Sequence, residues 1–105
     1  MVEKVQIFAP KYGSGVTVAS VTTTSASSSL RTNDTGNGQV VVTNTGIVPL
    51  YVRTGDSSVV ATTADYLVVP NYGQIVLTMK ATDTHIAYIT ESSTSSLHAI
   101  IGDGV

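Results

Sequence analysis

The 105 residues contain no cysteine, which excludes disulfide staples, thiolate chemistry and sulfur metal ligands and removes any need for an oxidising compartment. Charge is nearly as scarce. Asp, Glu, Lys and Arg make up 11% of the chain, where a soluble surface carries about 25–35%. The cations Lys4, Lys11, Arg31, Arg53 and Lys80 stand singly in a chain of net charge −2. No basic stripe follows a phosphate backbone, so nucleic acid is not an expected partner. Long apolar runs are missing as well. Nothing approaches the ~20 residues of a membrane span, and the opening "MVEKVQIFAPKYG" lacks a signal-peptide core. The expectation is a chain made and folded in the cytoplasm with no membrane contact. A charge-poor small domain of this kind is expected to cover part of its surface with copies of itself or a partner.

Serine, threonine and valine stand where charge is absent. β-branched residues lose rotamer freedom in a helix and suit a pleated sheet, and no segment has convincing helical periodicity. Short runs bounded by turn residues predict strands at 16–22, 39–44, 49–54, 66–69, 73–80, 84–90 and 95–101, with 5–9 a weaker candidate. The expected fold is all-β: a small β-sandwich or jelly-roll-like domain of about seven to eight short antiparallel strands. Residues 1–15 read as an N-terminal strand or arm, and 16–105 as one domain with a long polar loop at 22–38. Alternation places Ile75, Leu77 and Met79 on a core face, Leu50 and Val52 opposite Tyr51 and Arg53, and Ile86 and Tyr88 opposite His85, Ala87 and Ile89. "TNTG" at 43–46, whose Asn and Gly tolerate positive φ, and "PNYG" at 70–73 are each expected to close a hairpin.

Three motifs invite chemistry. Gly55-Asp56-Ser57 opens the nucleophile motif of one esterase family, yet "SVVATTADYLVV" follows as turn and strand, with no helix to present the serine. Asp83-Thr84-His85 is one residue short of the Asp-x-x-His that would supply the base. The expected role of Ser57 is a place in a polar turn, with Asp56 accepting backbone N–H bonds and pairing with Arg53. A hairpin of 84–90 with 95–101 would pair Ala87 with His98 and make His85 its diagonal neighbour, a two-histidine site with Asp83 at hand. A slip of one residue separates the two rings, so two half-exposed sheet histidines are expected instead. "RTNDTGNG" at 31–38 gathers oxygen side chains around a single carboxylate, Asp34, without EF-hand spacing, and reads as a loop. No phosphate loop, dinucleotide fingerprint or zinc-peptidase helix is present. The expectation is no enzyme activity, no cofactor and no metal.

The block "VVVTNTGIVPLYVRTGDSSVVATTADYLVVPNYGQIVLTM" followed by "THIAYITESSTSSLHAIIGDGV" resembles a pattern in small structural proteins of tailed bacteriophages. The pattern runs from a Thr-Asn-x-Gly turn through a Val-Arg strand, a Gly-Asp turn, an Ala-Thr-rich segment and a Pro corner to a last strand ending in glycine. The resemblance covers 39–105 and implies a virion component on the capsid surface: a head decoration or cement protein, homo-oligomeric as a dimer or trimer, bound to the major capsid protein or another virion protein. Such a protein binds the assembled lattice and stabilises it. Candidate partner contacts are Phe8, Pro10, Tyr12, Leu30, Arg31, Arg53 and Tyr72. The alternative is a carbohydrate- or receptor-binding module of a phage fibre or tail, using tyrosines as a platform.

Overall fold

The valine- and threonine-rich runs become strands that alternate between core and solvent. The computed structural model describes residues 9–10, 13, 15–31 and 38–103. Among them, β1 spans Ala9–Pro10, β2 Val16–Val21, β3 Ala26–Ser29, β4 Gly38–Asn44, β5 Leu50–Gly55, β6 Tyr66–Val68, β7 Gln74–Met79, β8 His85–Thr90 and β9 Ser95–Asp103. One sheet runs β1-β9-β4-β7, with β2 also on β9, and the other runs β3-β8-β5-β6. β1 and β2 share one edge of β9: Pro10 lies opposite Gly102, and Val16 opposite Ala99.

The pairings β2 with β9, β3 with β8, β4 with β7 and β5 with β6 are all antiparallel. They describe one long double strand that turns back at 56–65. Rolled so that the chain changes sheet at every connection except β1–β2 and β5–β6, it adds β4 to β9 and β5 to β8. This is a jelly roll. The rolling corrects two expectations. "TNTG" joins β4 to β5 and "PNYG" joins β6 to β7, so each carries the chain between sheets and neither closes a hairpin. Local turn residues encode a reversal, whereas the pairing partners lie tens of residues away and decide which sheet receives the next strand.

Strand β4 shows the pattern most plainly. Val40, Val42 and Asn44 point inward and are fully buried, while Gln39, Val41 and Thr43 are half-buried on the outer face. Leu50 and Val52 on β5, Ile86 and Tyr88 on β8, and Leu97, Ala99 and Ile101 on β9 meet them in one core. The expected face of β7 also points inward. Met79 is buried, but Ile75 and Leu77 are only partly so, because β7 is the last strand of its sheet.

The 22–38 stretch was expected as a loop, and here the structure differs. Ala26–Ser29 is a strand paired with β8. Serine has weak strand propensity, but the free edge of β8 supplies the backbone partners. Leu30 then drops into the core and Arg31 binds the β7–β8 turn, its Nε donating to the Asp83 carbonyl at 2.7 Å and a terminal nitrogen donating to the Lys80 carbonyl at 2.8 Å.

Candidate functional site

At one end of the sandwich a buried amide organises a corner. Asn44 continues the inward series of β4, and its Nδ2 donates to the carbonyls of Val48 at 2.9 Å and Val68 at 3.3 Å. Its Oδ1 accepts from the Gly46 N–H and the Ser95 hydroxyl, both at 2.8 Å. An amide has two donors and room for two acceptor contacts, so every position is filled. Its backbone is engaged as well: Asn44 N–H donates to the Gly73 carbonyl, and Tyr72 N–H donates to the Asn44 carbonyl, each at 2.8 Å. One side chain thus ties the ends of β4, β6 and β9 across both sheets.

The turn resting on this corner is strained. Asn71 and Tyr72 have φ of 60° and 67°, the sign pattern of a type I′ turn, which favours glycine at its second central position. Neither Asn44 nor Gly46 has positive φ among the described residues, so the conformational freedom expected of "TNTG" is not used. Tyr72 is 74% exposed and gains little burial against a cost of about 1–2 kcal/mol for an L residue in this region. Tyr72→Gly is therefore expected to raise stability by about 1 kcal/mol, read as a higher thermal midpoint. Asn71 N–H donates to the Gly46 carbonyl at 3.0 Å, placing the exposed Ile47 on the same corner as Tyr72 and Val69.

Among the described residues both sheets end in open edges on the side of β6 and β7. β6 has three residues and meets Pro70 soon after, two devices that blunt an edge. β7 has neither. Its six residues, Gln74–Met79, pair with β4 on one side and with no strand on the other among the described residues. The strand carries no charge and no proline, and Val76 is 44% exposed on its outer face.

Between these edges the sandwich has a mouth. A groove of about 520 Å³ is lined by Val52, Arg53 and Thr54 of β5, Tyr66 of β6, Leu77 and Thr78 of β7, with Ala64 and Asp65 from the preceding loop. A second groove of about 450 Å³ shares Arg53 and Thr54 and continues past Ser58, Lys80 and Thr82. Gly55-Asp56-Ser57 borders it as a turn. The Ser58 hydroxyl and N–H donate to Asp56 Oδ1 at 2.6 and 2.9 Å, and these bonds hold the Asp56 carboxyl below its ordinary value of 3.8. Asp56 thus accepts a backbone N–H bond as expected, while its second bond comes from the Ser58 hydroxyl and not from Arg53. Ser57 is exposed and is followed by turn and extended chain.

The hairpin that would have brought the histidines together does not form, because β8 and β9 belong to different sheets, and the two are half-exposed sheet histidines as expected. His85 lies opposite Gly55 and Ser29, and His98 lies opposite Thr17 and Thr43. Each ring bonds a threonine: Thr84 Oγ1 at 2.8 Å for His85 Nδ1, and Thr17 Oγ1 at 3.1 Å for His98 Nδ1. The 31–38 segment considered for calcium falls mostly outside the described residues.

Of the expected partner contacts, Phe8 and Tyr12 lie outside the described residues, and Pro10 is placed in β1. Leu30 is a correction. It is buried in the core and offers no surface, because β3 draws it inward. Arg31 is spent on turn carbonyls, while Arg53 lines the mouth and Tyr72 caps the corner. Leu67 and Val76 were not among the candidates, and Tyr66 was one only as part of the tyrosine platform. Their strands gave a signal, but exposure depends on which strands end the sheets.

No family model and no curated protein matches the chain. Among solved structures it is similar to a subunit of Bacillus endospore appendages, described as a novel family of disulfide-linked pili. The match has a TM-score of 0.57 at 12% identity and covers 100% of this chain and 96% of that one. The likeness is one of fold.

Proposed function

We propose that the chain is a non-enzymatic structural subunit of an external assembly, packing against copies of itself, and that within this class it decorates and cements the head of a tailed phage. The observation that carries the reading is the β7 edge: six uncharged residues without a pairing strand among those described, beside an apolar corner. An edge of this length is a template for another strand. The appendage subunit of the same fold belongs to a disulfide-linked pilus, which favours an assembling role. These 105 residues have no cysteine, so the contacts proposed here are non-covalent.

Val76→Lys places a charge on the edge strand. The expected result is a shift from dimer or larger species to monomer in size-exclusion light scattering, with monomer stability within about 0.5 kcal/mol of the parent. A parent protein that stays monomeric at every concentration would sink self-assembly. The phage-head role is tested on particles. Shells with the protein are expected to release their genome at a higher temperature than shells without it, and equal temperatures would remove the cementing role.

A further inference from the structure

The mouth of the sandwich combines an apolar floor, an exposed aromatic ring and two opposite charges. Val52 and Leu77, from opposite sheets, lie at its base. Tyr66 shares the inward parity of Val68, yet it is 65% exposed, since no strand lies beyond β6 among the described residues. Asp65 is held in place by the Thr62 N–H, which donates to its Oδ2 at 2.7 Å, leaving Oδ1 as an acceptor. Arg53 lines the same groove.

We propose that this groove binds a neutral oligosaccharide, one ring stacked on Tyr66 and its hydroxyls held by Arg53 and Asp65. A sugar ring has C–H faces and a hydroxyl rim, matching an aromatic face beside planar polar groups. Within this groove Arg53 and Asp65 balance, so an uncharged ring on Tyr66 meets no uncompensated field there. The volume of about 520 Å³ falls in the ~300–1,000 Å³ range of small-molecule sites. The adjoining groove, entered past Thr54, extends the site for a second ring. An extended peptide fits less well. β6 stops opposite Val52, which leaves a free β5 edge of Arg53, Thr54 and Gly55, short of the ~5–6 residues of an ordinary strand. Leu77 and Thr78 belong to the β7 strand offered for self-assembly, so glycan binding is read on the Val76→Lys monomer as well as the parent, and the two proposals fail separately.

Labelled protein on a glycan array is expected to bind neutral glycans, followed by ¹⁵N–¹H titration with lactose, maltotriose or N,N′-diacetylchitobiose according to the hits. Shifts are expected at Arg53, Thr54, Asp65 and Tyr66. Tyr66→Ala is expected to weaken binding about tenfold, and Arg53→Lys, which keeps the charge and loses the planar fork, to weaken it as well. Tyr72→Ala removes an equally exposed tyrosine outside the groove and is expected to leave affinity unchanged. Thermal melting confirms that each variant is folded. Absence of neutral-glycan binding, shifts centred on Tyr72, or stronger binding of an uncharged extended peptide would overturn the proposal.

Discussion

Asn44→Ala is expected to cost about 3–5 kcal/mol and to lower the thermal midpoint by at least about 12 °C. The truncation leaves the carbonyls of Val48 and Val68, the Gly46 N–H and the Ser95 hydroxyl without the partner that now meets all four. Asn44 and Ser95 are both buried, and a buried polar group left unmatched costs about 1–3 kcal/mol. The four bonds also join the β4–β5 turn to β6 and β9, so their loss loosens the corner between the sheets. Asn44→Asp is expected to be at least as damaging, because a carboxylate would face two carbonyl oxygens where the amide donates. Denaturant unfolding measures both variants. A loss below about 1 kcal/mol for Asn44→Ala would show that the network is not made in solution.

Gly46→Ala tests the same corner from the steric side, with an expected loss of about 3 kcal/mol. A Cβ at this position would lie 2.2 Å from the Ser95 hydroxyl oxygen, 2.8 Å from the Ser96 backbone nitrogen and 3.0 Å from Ser95 Cα. The hydroxyl can turn aside only by abandoning Asn44, and the backbone of β9 has no such freedom. Adding Ser95→Ala is expected to recover part of the loss, since it removes the nearest atom and leaves the backbone clash. The two changes touch one network and so are not additive. Full additivity in the double variant would mean that Gly46 is needed for another reason.

Much of the fold was legible because period-two alternation is local. Val40 and Val42, Leu50 and Val52, and Ile86 and Tyr88 each reveal an inward face within a few residues, and the observed strands begin and end close to the expected positions. β3 was missed because its four residues, Ala-Ser-Ser-Ser, carry no apolar stripe; only the waiting edge of β8 makes them a strand. The mouth was not legible at all. Val52, Tyr66 and Leu77 are separated by more than ten residues each and meet because β6 and β7 end adjacent sheets.

The role of the two turns divides in the same way. "TNTG" and "PNYG" are visible as reversals from their Asn, Gly and Pro residues. That they carry the chain between sheets follows from the pairing of β4 with β7 and β9, and of β5 with β6 and β8. The sequence by itself determined the strand-forming segments, the inward faces and the absence of sulfur chemistry, since these depend on side-chain type and spacing over a few residues. Tertiary structure alone decided sheet membership, the exposed β7 edge, the filled bonds of Asn44 and the groove beside Tyr66. Each of these needs backbone partners far apart in the chain, and no local propensity specifies which edge they will find.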